Sequence, residues 1–175
     1  MKKILLACAA FLALLAVAVT PASAALQVDV TQGNAQPLPM AIPDFVAGTP
    51  TELSTAQNIA GVVRADLGRS GLFNPLDPKS FIDQITDINA LPNFADWRVI
   101  KAQGLVTGAV AMQPDGQLRV SFRLWDIYGE AQMFGEQFST TPENWRRIAH
   151  LISDAIYQRI TGEKGYFDTR IVFIS

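Results

Sequence analysis

The sequence predicts an α/β (α+β) domain: a small mixed β-sheet with two main helices packed on it, preceded by a targeting segment. Three observations predict it. Ser54 to Asp77 reads as an amphipathic helix closed by a glycine and a proline turn. Leu118 to Leu124 alternates apolar and polar residues as a half-buried strand does. Trp145 to Ile160 carries a second apolar stripe at helical spacing. About 150 residues beyond the targeting segment suffice for one domain with a real core.

The chain opens Met1-Lys2-Lys3, runs almost wholly apolar from Ile4 to Val19, and then reads Thr20-Pro21-Ala22-Ser23-Ala24. A positive start, an apolar middle and a small-x-small end describe a cleavable secretory signal, here residues 1–24, with cleavage after Ala24 or Ala25. The apolar run is shorter than the ~20 residues a spanning helix needs, so no transmembrane segment is expected after signal cleavage. Leu5-Leu6-Ala7-Cys8 precedes the apolar stretch rather than following it, which argues against a lipoprotein site. Cys8 is the only cysteine, so the exported part cannot form a disulfide within itself. Losing Lys2 and Lys3 lowers Lys+Arg from 14 to 12 against 16 Asp+Glu, taking the net charge from −2 to −4. With no basic run, nucleic acid is not an expected partner.

Leu26-Gln27-Val28-Asp29-Val30-Thr31 alternates apolar and polar, a strand pattern broken by Gln32-Gly33-Asn34-Ala35-Gln36-Pro37. Met40-Ala41-Ile42 lies between Pro39 and Pro43 and reads as an edge strand, because proline offers no N–H to a ladder. In the following helix Ile59, Val62, Val63 and Leu67 share one face, and Ala56 and Ala60 beside it permit close approach to a sheet. Thr51 and Ser54 are candidate N-caps. Gly71 can close the helix in the left-handed conformation, and Pro75 forces Asn74 to be extended. Pro78 to Ile88 reads as a short helix and loop, and Ala90 to Phe94 as a connector. Trp97, Val99, Ile100 and Gln103 fit a short helix ending near Gly104.

Leu105 to Met112 reads as a strand, Pro114-Asp115-Gly116 as a hairpin turn, and Leu118 onward as its return strand. Trp125 and Ile127 switch the apolar parity after Leu124, which implies a bulge. Tyr128-Gly129-Glu130 turns the chain into a further strand, Met133 to Ser139. Thr141-Pro142-Glu143 starts a helix whose stripe is Trp145, Ile148, Ala149, Ile152, Ile156 and Ile160, and Gly162 ends it. Asp168 to Ile174 restarts a strand.

Residues that could carry catalysis are few. His150 is the only histidine and sits at the margin of its stripe, where Asp154 one turn along could pair with it. Zinc needs three or four ligands, so a partly exposed helix position is the favoured reading. Asp83, Asp87 and Asp96 read as a solvated loop, because nothing fixes the separation that an acid–base pair requires. Gly104 to Gly108 lacks the lysine and hydroxyl of a phosphate loop. Ser54, Ser70 and Ser121 have no nucleophile-elbow context. Trp97, Trp125 and Trp145 read as core, and Arg119 with Arg123 as a solvated sheet face. No catalytic residue, metal site or cofactor is expected, and the chain is read as a non-enzyme. The alternative is an exported small-ligand-binding domain using the Arg119/Arg123 face or the tryptophans.

VVRADLGRSGLFNPLD, WRVIKAQGLVTGAV, PDGQLRVSFRLWDIYG and WRRIAHLISDAIYQRITGEKGYFDTRI occur in that order. In order and spacing they resemble the N-terminal domain of the TolB family, over most of residues 26–175. The resemblance implies a periplasmic adaptor of the Tol–Pal system that supports outer-membrane integrity and constriction at cell division. It also implies a division into a signal peptide (1–24), a partner-binding segment (25–37), an α/β domain (38–165), and a linker with the first strand of an absent β-propeller (166–175). The implied partners are the TolA C-terminal domain, bound by Leu26, Gln27, Val28, Asp29, Val30, Thr31, Gln32, Gly33, Asn34, Ala35, Gln36 and Pro37, and the lipoprotein Pal, bound through the propeller.

The physical chemistry of this segment fits a switch. Burying Leu26, Val28 and Val30 would stabilise docking by ~1.5–3 kcal/mol each. Three ladder bonds would add ~0.5–1.5 kcal/mol each. Ordering six residues costs ~1–2 kcal/mol apiece. The terms nearly cancel, so a small coupling energy decides between a docked and a released strand, and a released strand can add to a partner's sheet; the alternative reading is a fixed first strand of the domain.

Overall fold

The computed structural model describes residues 36–169, which form one mixed sheet with the two long helices on one face and a short helix on the other. The chain runs through β1 (Leu38–Ala41), β2 (Val46–Ala47), α1 (Pro50–Arg69), β3 (Phe73–Pro75), α2 (Phe94–Val99), β4 (Gly104–Met112), β5 (Leu118–Asp126), β6 (Ala131–Thr140) and α3 (Trp145–Thr161). The strand order is β3-β1-β4-β5-β6, with β2 also on β4. β1 is parallel to both β3 and β4, so β1-α1-β3 is a crossover unit, whereas β4, β5 and β6 form an antiparallel meander. β1 pairs Met40 with Gly104 and β2 pairs Val46 with Ala109. Six residue steps therefore face five on β4, and the extra residue bulges out between Ala41 and Val46, where Pro43 lies.

Met40-Ala41 is thus an interior strand, not the edge expected from its prolines. Pro39 is tolerated because its missing donor would point ahead of the first residue of β4. Its carbonyl still accepts from Gln103 N at 2.9 Å. Pro43 falls in the break, where no ladder bond is needed.

α1 begins earlier than expected. Thr49, rather than Thr51 or Ser54, is the N-cap; its Oγ1 accepts from Glu52 N at 3.3 Å, and Pro50 occupies the first turn. Gly71 adopts φ +74 and ends the element, as its position predicts. Glu52, Ala56, Ile59, Ala60, Val63, Asp66 and Leu67 are buried at helical spacing, with Val62 at their margin. α3 follows a single 3₁₀ turn at Pro142–Asn144, and Thr141 makes no capping bond. Its stripe is buried as expected apart from half-buried Trp145, and Gly162 closes it at φ +79.

Two clusters make the core. The larger joins α1 and α3 to one sheet face through Val106, Val110, Leu118, Val120, Phe122 and Leu124. The smaller lies on the opposite face, where Phe94 and Trp97 of α2 cover Leu105, Trp125 and Ile127. This second cover explains the parity switch after Leu124: odd positions become apolar where the reverse face is roofed. A register shift does occur between Leu124 and Trp125, and its extra residue is Met133 of β6. α2 ends at Val99, short of Gly104, with Lys101 at φ 61 in the turn. Beyond Gly162 the chain folds back along α3 as far as Thr169. The strand expected over Asp168 to Ile174 lies largely outside the described residues.

Candidate functional site

The segment expected to bind a partner lies mostly outside the described residues. Gln36 and Pro37 are described, and both are exposed. They lead into Leu38, which is 6% exposed and donates its N–H to Leu72 O at 2.8 Å. The segment is therefore rooted, at the residue immediately after its end, in an interior strand of the sheet. That root is fixed on one side by β3 and on the other by Gln103, the residue before β4.

The candidate titratable groups fall into structural roles. His150 does not pair with Asp154. Its Nδ1 lies 2.7 Å from Oδ2 of Asp66, which is fully buried on α1 and also pairs with Arg69. Asp154 is engaged instead by the returning chain: its carboxylate accepts from Phe167 N at 2.8 Å and Asp168 N at 3.1 Å, while Arg147 pairs with Asp168 at 3.2 Å. Tyr166 and Phe167 there stack edge-on against Tyr157, whose hydroxyl burial pushes to a raised pKa. Glu52 ties the start of α1 to the end of β4, because its Oε1 accepts from Met112 N at 2.5 Å. That bond, with further help from Thr49, holds its carboxyl below the usual glutamate range.

Asp87 and Asp96 accept local bonds from Asn89 N and Asn93 Nδ2. With Asp83 they do not converge. Among the described residues no group of three or more His, Cys, Asp or Glu is placed to hold a metal ion. Trp97 and Trp125 belong to the smaller core cluster, and Trp145 packs at the margin of the larger. Arg119 and Arg123 do share the open part of the reverse sheet face. There a trough of about 370 Å³ is lined by Ser121, Arg123, Gln132, Gly135, Glu136 and Gln137.

Sequence reasoning missed Asp66, Glu52 and the true role of Asp154. The first had a signal: position 66 is seven residues after Ile59, on the apolar stripe, so its acid had to be buried and partnered. Glu52 follows Thr49 by three in the spacing of a capping box. The partners of Asp154 are backbone N–H groups, which no side-chain pattern reveals.

A family model for the TolB amino-terminal domain matches residues 26–133. Among solved structures, the chain is similar to TolB from Acinetobacter baumannii at 25% identity and a TM-score of 0.61, over 82% of this chain and 33% of that one. This chain therefore corresponds to about a third of that structure's length. It is also similar to a PelC dodecamer subunit from Paraburkholderia phytofirmans (16% identity, TM-score 0.48, 73% of this chain and 91% of that one). A third similar structure is lipoprotein GNA1162 from Neisseria meningitidis (13%, 0.49, 70% and 96%). Among the described residues no helix is long and apolar enough to cross a membrane. With residues 26–133 of its 175 matched, the chain belongs to the TolB amino-terminal domain family.

Proposed function

We propose that this chain acts as a non-enzymatic periplasmic adaptor of the Tol–Pal system, exported by residues 1–24. Its segment Leu26–Pro37 is captured by the C-terminal domain of TolA, and the complex supports outer-membrane integrity and constriction during cell division. Membership of the TolB amino-terminal domain family carries this reading, since the family match opens at Leu26, the first residue of the strand-patterned segment. Two features support it. Glu52, His150 with Asp66, and Asp154 are engaged in capping, helix–helix and chain-return contacts. The segment also leads into a strand that is already paired on both sides, so the domain can serve as an anchor for a recognition strand. Pal, in this reading, engages a propeller that follows the linker at residues 166–175.

The test is calorimetric titration of the purified protein with the TolA C-terminal domain, alongside a variant lacking Leu26–Pro37. The deletion leaves Leu38 N and its bond to Leu72 O in place. The expected outcome is loss of binding with a retained cooperative thermal transition. Full binding by the deletion variant refutes the assignment. Loss of the transition refutes the separation of recognition segment from scaffold.

A further inference from the structure

The two edges of the sheet are built differently. β3 is three residues long and ends in Pro75, which blunts it. β6 has ten residues, contains no proline, lysine or arginine, and carries Glu136 as its one charge. A strand of this kind offers unpaired backbone groups to another extended chain. The bulge at Met133, whose carbonyl accepts from Arg159 Nε at 3.1 Å, protects only its first part. From Phe134 to Thr140 the strand runs in continuous register with β5.

On the reverse face, Arg119 and Arg123 of β5 stand directly opposite Ser139 and Gly135 of β6. Opposite residues this small leave both arginines room to lie across β6 toward its free side. Arg123 already does so: Nη1 donates to Gln132 Oε1 at 3.3 Å, and its Cγ lies 3.6 Å from where a Gly135 Cβ would be. Its other acceptor is Asn89 Oδ1 at 2.6 Å. Both acceptors are neutral amides, and among the described residues Arg119 has no polar side-chain partner. By contrast Arg64, Arg69, Arg98 and Arg147 each pair with an aspartate or glutamate. Arg123 thus lines the 370 Å³ trough, whose wall also includes Glu136, and Arg119 stands four residues away on the same strand face, beside an edge that no other strand among the described residues pairs.

We propose that β6 receives an extended acidic polypeptide segment as an added strand, with Arg119 and Arg123 taking its carboxylates across Ser139 and Gly135. Residues four apart on a strand are ~13 Å apart, so the two arginines match acidic side chains at i and i+4 on one face of the incoming strand. Main-chain bonds along the edge supply the pairing, and charge-assisted guanidinium–carboxylate contacts supply the selection for acid. The proposal does not rest on TolA capture, and its ligand is a different one.

The test uses amide hydrogen exchange and a binding titration of the purified protein with an acetylated, amidated peptide of alternating threonine and glutamate, about eight residues long. Protection of amides within Phe134–Thr140 is expected. The double variant Arg119→Gln/Arg123→Gln should weaken binding by about tenfold or more with an unchanged thermal transition. The matching threonine–glutamine peptide should bind native protein as weakly as the acidic peptide binds the double variant. Equal binding of the glutamine peptide overturns the charge selection. Binding without protection of β6 overturns strand addition, as does no binding at millimolar peptide. Arginine-dependent association with phosphatidylglycerol vesicles that the acidic peptide fails to displace would assign the surface to lipid and overturn the proposal.

Discussion

Gly108 makes the sharpest quantitative test of the fold. It lies on the helix-facing side of β4 between Val106 and Val110, and the ring of Phe45 occupies the space its side chain would take. A Cβ built there falls closer than 3.0 Å to three ring atoms. Phe45 is 1% exposed and sits in the break between β1 and β2, so the ring cannot swing into solvent without opening the larger core cluster. Overpacking of a filled core costs ~1–3 kcal/mol. Replacing glycine recovers ~0.4–1 kcal/mol through the unfolded state. β4 is bonded on both sides and has little freedom to move away, so Gly108→Ala should destabilise by ~1–2 kcal/mol, net of that gain. At ~2–4 °C per kcal/mol for a chain of this size, the midpoint should fall by several degrees. Urea unfolding followed by the fluorescence of buried Trp97 and Trp125 gives the free energy directly. In a Phe45→Leu background the ring is gone and the added methyl has room, so the same substitution should cost close to nothing. A neutral Gly108→Ala, or an equal loss in both backgrounds, would refute the packing argument.

The remaining predictions concern the polar ties between elements. Asp66→Asn keeps shape but weakens the bonds to His150 and Arg69, and should cost ~1.5–3 kcal/mol in urea unfolding. Combined with His150→Ala the loss should fall short of the sum of the single losses, because both changes act on one contact. Glu52 has a depressed pKa, so the stability it contributes is present above the unfolded glutamate value of 4.5 and is lost as pH falls through its lower folded value. Glu52→Gln should therefore lower stability at pH 7 and flatten its decline below pH 4.5, as read from urea midpoints across that range. An unchanged acid limb would remove Glu52 from the pH response.

The elements were legible wherever periodicity was one-sided. α1, α3 and the β4–β5 hairpin follow from residues such as Ile59, Val63, Ile152 and Phe122, whose neighbours are polar. Gly71, Gly116 and Gly162 mark turns that the backbone bears out at positive φ. Legibility failed where a residue's role depends on a distant element. Pro39 reads as an edge signal, yet it sits in an interior strand because its missing donor happens to precede β4. Trp125 and Ile127 read as a bulge signal, and the register does shift there, but the extra residue is Met133 of β6 and the parity itself reflects the roof that Phe94 and Trp97 place on the reverse face. The arginines at 119 and 123 read correctly as sharing a face, but the small residues opposite them, and the free edge beyond, become visible only once β6 is registered on β5.

The placement of β1 bears on how a captured segment could act. Had Leu38–Ala41 been an edge strand, pulling on the residues before it could peel the strand away at the expense of one ladder. In the observed sheet, peeling β1 breaks ladders to both β3 and β4 and exposes Leu38, Met40 and Ile42, the last two fully buried. Exposing those side chains alone costs ~1.5–3 kcal/mol each, more than the nearly cancelled docking energy of a six-residue strand can supply after its own ordering. A partner that grips Leu26–Pro37 would therefore hold that segment without unravelling its root. The physical signal of capture would be the position of the segment, with the sheet behind it acting as a fixed point of attachment.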